Sequence, residues 1–205
     1  MSAGAPPREV RIIGGIWKRS KLPVASLPGL RPTPDRVRET LFNWLGRDLD
    51  GWRCLDAFAG TGALGFEAAS RGAASVTLVE RESRLLRGLE QVHARLQAGE
   101  SVRLAAGDAI SWMARQPAAS FELVFVDPPF DADLFVRAVE AASRVVVPGG
   151  FVYLEADRAF APADFPRAEP LLPHRHGRAG AVHYHLFQRA DAGYTPPEST
   201  PEELA

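Results

Sequence analysis

From residue 53 onward, short apolar runs alternate with segments whose apolar residues recur every three or four positions. The runs at 53–58, 75–80, 102–105, 121–127 and 151–155 are mostly apolar throughout. That is the pattern of parallel strands covered on both faces. A further strand is predicted at 182–189, and helices near 63–71, 83–97, 109–115 and 132–145. Strands alternating with helices in this way predict a doubly wound, Rossmann-like α/β sheet. Ahead of it, Val10-Arg11-Ile12-Ile13 reads as a strand, Gly14-Gly15 as a turn and 16–22 as a return strand, giving a β-hairpin. A helix follows, with Thr33 as its N-cap and Pro34 at its first position. Val37, Leu41, Trp44 and Leu45 mark one face of that helix. Residues 1–7 and 191–205, rich in Pro, Gly, Ser and acid, are expected to be disordered tails. The chain thus divides into a tail (1–7), an N-terminal hairpin and helix extension (8–50), an α/β domain (51–190) and an acidic tail (191–205).

At 205 residues the chain is long enough for one α/β domain with extra elements. No stretch approaches the ~20 apolar residues of a membrane span. Residues 1–7 lack the basic and apolar regions of a signal peptide. The single cysteine, Cys54, excludes an internal disulfide and suits a reducing compartment, so a cytoplasmic location is expected. As a residue inside the first strand of the domain, Cys54 reads as buried and apolar rather than nucleophilic.

A net charge of −1 argues against a nucleic-acid partner until its distribution is considered. Residues 191–205 contain four acids and no base, which leaves 24 basic and 21 acidic side chains in 1–190. Residues 1–45 alone carry eight bases against three acids. A basic end of this kind can contact phosphate, although a solvated face of mixed charge accounts for the same residues. The candidate RNA contacts are Arg11, Lys18, Arg19, Arg31, Arg36 and Arg38. Arg36 and Arg38 fall in the first turns of the predicted helix, where a cation is mildly unfavourable, and this hints at a task outside the helix. Trp17, beside Lys18 and Arg19, could either stack on RNA or anchor the hairpin.

The strand at 53–58 runs into Ala59-Gly60-Thr61-Gly62-Ala63-Leu64-Gly65, which satisfies G-x-G-x-x-G. The motif alone is weak. A strand before it, a helix after it and Glu80, 20 residues past Gly60, strengthen it. A carboxylate at Glu80 can accept hydrogen bonds from both ribose hydroxyls of a nucleotide. Asp56 would repel a pyrophosphate over this loop but would attract the ammonium and sulfonium of S-adenosylmethionine. Asp108, after the third strand, can reach an adenine amino group. The candidate cofactor contacts are Asp56, Phe58, Gly60, Thr61, Gly62, Leu64, Glu80, Arg81, Asp108 and Ala109.

The fourth strand runs straight into Asp127-Pro128-Pro129-Phe130. In a doubly wound sheet this strand lies beside the first, so the tetrapeptide should face the methyl donor. An exocyclic aromatic amine is a poor nucleophile because its lone pair is delocalised into the ring. Asp127 and the Pro128 carbonyl can each accept one of its hydrogens and aim the lone pair at the methyl carbon. Prolines stiffen the loop without adding donors, and Phe130 offers a face for a splayed-out base. Asp127, Pro128, Pro129 and Phe130 are therefore the candidate catalytic residues. His174, His176, His183 and His185 lack partners at ligand spacing, so no metal is expected and a polar strand face is preferred.

Taken together, these segments resemble the bacterial methyltransferases that methylate N2 of a guanine in 16S ribosomal RNA. The resemblance spans about 10–189. It is carried by Arg11-Ile12-Ile13-Gly14-Gly15, Leu30-Arg31-Pro32-Thr33, the block from Asp35 to Leu45, the Asp56 and glycine loop segment, and Asp127-Pro128-Pro129-Phe130. His174-Arg175, Gly180, Val182, Tyr184, Leu186 and Gln188-Arg189 also fit it. The glycine loop and D-P-P-F are shared with other methyltransferases, whereas the 30–45 block is specific. The resemblance implies a seven-stranded sheet, an RNA-holding extension, guanine N2 as acceptor, and a partly assembled small ribosomal subunit as substrate. A monomer is expected. The residues alone leave open adenine-N6 or glutamine-N5 methylation, or a non-catalytic RNA-binding assembly factor on the same fold.

Overall fold

The computed structural model describes residues 9–25, 33–129, 134–191 and 193. An antiparallel hairpin of β1 (Glu9–Arg11) and β2 (Lys21–Pro23) comes first, then α1 (Asp35–Trp44). There follow β3 (Arg53–Asp56), α2 (Ala63–Ser70), β4 (Ser75–Glu80), α3 (Ser83–Leu96), β5 (Val102–Ala106) and α4 (Ala109–Ala114). The remainder is β6 (Phe121–Val126), α5 (Phe135–Val145), β7 (Val146–Ala156), β8 (Leu171–Ala179) and β9 (Val182–Arg189).

Seven of these strands form one sheet in the order β5-β4-β3-β6-β7-β9-β8. The first five run parallel, and β9 and β8 close the edge antiparallel. The chain winds outward from β3 to β5, then returns to place β6 on the other side of β3. That reversal opens a crevice at the carboxyl ends of β3 and β6, where ligands bind in such sheets.

Alternation along each strand splits its side chains between two layers. Cys54, Leu78, Leu123 and Phe125 pack with Leu41 and Phe42 of α1, Phe66 of α2 and Leu89 of α3. Leu55, Val79, Val124 and Val126 face Met113 of α4 and Val139 and Ala142 of α5. Both faces are covered, which explains the unbroken apolar runs. The extension shares the first layer, since Val10, Ile12 and Leu22 of the hairpin are buried in the same cluster.

Glu67 of α2 fastens the hairpin. Its fully buried carboxylate accepts the N–H groups of Ile13 (2.7 Å) and Gly14 (2.8 Å) and pairs with Arg38 (3.3 Å) and Arg71 (2.8 Å).

The strand expected at 151–155 begins earlier, at Val146, and three further features differ from the sequence expectation. Residues 16–19 form a turn rather than the start of the return strand, with Gly15 and Arg19 at φ 74° and 73° bending the chain. Pro34, not Thr33, occupies the N-cap of α1, and no side chain caps that end. β8 was not anticipated: Pro173, His174, Arg175, His176, Gly177 and Arg178 give it no apolar alternation. An edge strand buries little and can carry such residues.

Candidate functional site

Five acids stand at the carboxyl edge of the sheet, one at the end of each parallel strand. From one side to the centre they are Asp108 after β5, Glu80 ending β4 and Asp56 ending β3; Asp127 after β6 and Glu155 near the end of β7 continue the row. Four of them were legible in the sequence. Glu155 was not singled out, although an acid inside the apolar run 151–155 is the signal that could have found it.

The glycine loop lies over the β3 end. Gly60 and Gly62 have φ of 53° and 77°, a backbone that favours glycine. A Cβ on Gly62 would stand 2.6 Å from the Phe66 ring, and one on Gly65 would stand 2.9 Å from Leu78. The third glycine therefore lets α2 pack tightly on β4. Glu80 accepts the Gly60 N–H (2.9 Å) and the Glu82 N–H (2.8 Å). Asp56 is buried, and its Oδ2 accepts the Gly65 N–H (2.9 Å). Burial, opposed by that hydrogen bond, pushes the Asp56 pKa up to about 7, with Glu80 and Glu155 adding repulsion. Asp108 is exposed and caps α4 through the Ser111 N–H (2.9 Å), which holds its pKa below the usual range. Thr61, Leu64 and Ala109 are buried around the loop, Phe58 is half-buried, and Arg81 is exposed.

Asp127 and Glu155 meet on the face covered by α1. Asp127 is half-buried, Pro128 buried and Pro129 exposed. Phe130 lies outside the described residues. The Asp127 pKa is raised by burial, then by the charges of Glu155 and Asp56, while the Thr33 hydroxyl partly offsets them. Glu155 is also raised by burial, partly offset by the Thr33 hydroxyl, and its Oε1 accepts the Tyr153 hydroxyl (2.8 Å). Thr33 was expected to cap a helix; instead it lies near these two carboxyls, whose shifts its hydroxyl partly offsets. Together with Tyr153 it is part of the site that the sequence pattern did not disclose.

The basic candidates separate. Arg11, Lys18, Arg19 and Arg36 are exposed, and Ile16 between them is 81% exposed. Arg31 lies outside the described residues. Arg38 is a correction: its side chain is fully buried, bonded to the Thr33 and Arg11 carbonyls and to Asp35 and Glu67, and cannot grip phosphate. Its unfavourable place in the first turn of α1 is offset by those two acids. Trp17 packs against the core, and its N–H donates to the Ser70 hydroxyl (2.9 Å). His176, His183 and His185 stack on one face of the β8–β9 pair, with His185 buried and accepting the Phe160 N–H (3.0 Å). Desolvation and His176 lower the His185 pKa to about 4. Among the described residues no three His, Cys, Asp or Glu side chains are arranged to hold a metal ion.

Residues 10–188 match the family described as conserved hypothetical protein 95. The chain is 42% identical over 190 residues to the ribosomal RNA small subunit methyltransferase D of Escherichia coli, covering 90% of this chain and 92% of that protein. The protein of the same name from Haemophilus influenzae is 38% identical, covering 88% and 94% respectively. A solved structure from Escherichia coli, 41% identical, aligns with a TM-score of 0.76 over 90% of this chain and 99% of that one.

Proposed function

Because this chain belongs to the conserved hypothetical protein 95 family, and its relatives are ribosomal RNA small subunit methyltransferases, we propose that it methylates N2 of a guanine in 16S ribosomal RNA. The methyl donor is S-adenosylmethionine, and the substrate is a partly assembled small ribosomal subunit. The observation that carries this reading is the row of acids at the carboxyl edge, Asp108, Glu80, Asp56 and Asp127, around a glycine loop.

The loop itself favours a ligand without phosphate. In a dinucleotide site the loop N–H groups face the pyrophosphate. Here the N–H groups of Gly60, Gly62 and Gly65 are already engaged by Glu80, the Ala59 carbonyl and Asp56. What remains toward the crevice is negative, which suits a cationic ligand. Glu80 is placed for ribose hydroxyls and Asp108 for an adenine amino group, with Phe58, Thr61, Leu64, Arg81 and Ala109 completing the walls.

S-adenosylmethionine supplies an electrophilic methyl carbon on a sulfonium. The chain's own contribution is to orient the acceptor. Asp127 and the Pro128 carbonyl each accept one amine hydrogen, which turns the nitrogen lone pair toward the donor side of the crevice. Pro129 stiffens the loop, and Phe130 stacks the splayed-out guanine. Positioning of this kind can supply several kcal/mol of the barrier. The exposed Arg11, Lys18, Arg19 and Arg36, with Arg31, hold the RNA backbone. Adenine-N6 and glutamine-N5 transfer use the same loop chemistry, but the family membership favours ribosomal RNA.

Calorimetry tests the cofactor: S-adenosylmethionine or its demethylated product should bind in the presence of a chelator, and NAD should not. Tight NAD binding, or loss of the methyl donor on chelation, contradicts the reading. Labelled methyl should then pass to small subunits lacking the modification in preference to naked RNA.

A further inference from the structure

The basic side chains proposed to hold RNA all belong to the N-terminal extension, yet the antiparallel edge of the sheet carries a second surface of similar chemistry. Residues 171–189, which span β8 and β9, contain three arginines, four histidines and no acid. Register partners in an antiparallel pair project on the same face. His176 stands opposite His185, and Arg178 opposite His183, so these four side chains share one face. His185 is in turn opposite Leu154 of β7, which packs on the side of the sheet covered by α5.

The rings on this face are ordered. His183, His185 and Phe187 follow one another along β9 at centroid separations of 6.4 and 5.6 Å, with interplanar angles of 18° and 5°. His176 of β8 stacks beside them, 4.6 Å from His185 at 24° and 5.4 Å from His183 at 13°. The inner end of the row is buried: Phe187 lies in the core, and His185 accepts the Phe160 N–H (3.0 Å). The outer end is not. His176 is exposed and His183 half-buried, and among the described residues their rings hydrogen-bond only to each other, Nε2 to Nδ1 at 3.1 Å. That contact fixes both ring planes. Nearly parallel rings, anchored in the core, thus reach solvent with their orientation already set.

They reach it close to the acceptor loop. His183 is the register partner of Ala156, the last residue of β7. β9 is two strands from β6, hence about 10 Å from it at ~4.8 Å per strand spacing. The chain leaves Asp127 toward α5, which covers the same face as the rings. Asp157, which follows Ala156, is matched by Arg158 and Arg178, both exposed. Flat rings beside cations suit an unpaired nucleotide, whose base stacks on imidazole while arginine takes its phosphate. We propose that His176 and His183 form a stacking subsite for an unpaired RNA base flanking the target guanine, with Arg178 on the adjoining phosphate. This rests on the reading of the protein as an RNA methyltransferase. Stacking accepts any base, because every base has a π-face.

The test compares a double alanine variant, His176→Ala with His183→Ala, and a double phenylalanine variant, His176→Phe with His183→Phe. The probe is a single-stranded oligoribonucleotide with 2-aminopurine beside a central guanine, since the fluorescence of 2-aminopurine falls when it stacks. The wild type should quench it. The alanine pair should bind it about 10- to 100-fold more weakly with less quenching at saturation, and the phenylalanine pair should restore both. The half-saturating concentration of small subunits in methyl transfer should rise in parallel for the alanine pair, while melting and donor affinity hold. Arg178→Ala should lower the magnitude of the log-log salt slope for the oligonucleotide by roughly 0.7. No quenching by the wild type, an alanine pair equal to the wild type, or a phenylalanine pair as weak as the alanine pair overturns the proposal. Weaker binding of whole subunits with unchanged binding of the oligonucleotide also overturns it, and assigns the face to a protein of the particle. An alanine pair that melts early would give the rings a packing role instead. If the wild type methylates no RNA, the functional reading fails, and the quenching series still decides whether the rings stack a base.

Discussion

Asp56 has a carboxyl whose titration carries a measurable consequence. Its folded pKa stands near 7 against an ordinary 3.8 because it is buried. A carboxyl raised in this way contributes stability below its unfolded pKa, and the contribution is lost as pH rises through the folded one. Asp127 and Glu155 are shifted in the same direction. The melting temperature of the ligand-free protein should therefore fall from about pH 5 to pH 8, and Asp56→Asn should flatten part of the fall. Affinity for a cationic methyl donor should rise over the same interval as Asp56 ionises, and a donor affinity independent of pH would count against its role. Asp127→Ala should abolish turnover while leaving donor affinity nearly unchanged, because its partner is the acceptor amine. Equal loss of donor binding and turnover would place Asp127 in the cofactor site instead.

Between elements, the decisive contact is α2 against the hairpin and α1. Glu67 is buried with Arg38 and Arg71, and it also terminates two backbone N–H groups of the hairpin. Removing one member of a buried charge network leaves its partners uncompensated, so Glu67→Ala should cost about 3–5 kcal/mol in a denaturant titration. Arg36→Ala, on the exposed side of α1, should change stability by less than about 0.5 kcal/mol. It should instead lower the magnitude of the log-log salt slope for RNA binding by about one. An early-melting Arg36 variant with an unchanged slope would give that residue a structural role. The sequence made the central strands and the glycine loop legible because burial on two faces writes itself into composition. It could not separate Arg36 from Arg38: both read as exposed helix cations, and the partner that buries Arg38 lies 29 residues away. β8 escaped for the opposite reason, since an edge strand has no apolar pattern to betray it. Thr33 read as a cap because the two carboxyls it lies near are distant in sequence.

At the scale of the molecule, the doubly wound sheet and its extension form a continuous layer. The hairpin and α1 share a core with β3, β6 and β7. The exposed basic side chains of the extension thus stand on a body that shares its core with β6, the strand that leads into Asp127. The identity of the methylated product decides between these readings. Small ribosomal subunits from a strain lacking this activity, incubated with the protein and methyl-labelled S-adenosylmethionine, should yield label in N2-methylguanosine after digestion of the 16S RNA, and none with Asp127→Ala. Label recovered in N6-methyladenosine or in protein, or undiminished transfer by Asp127→Ala, would contradict it.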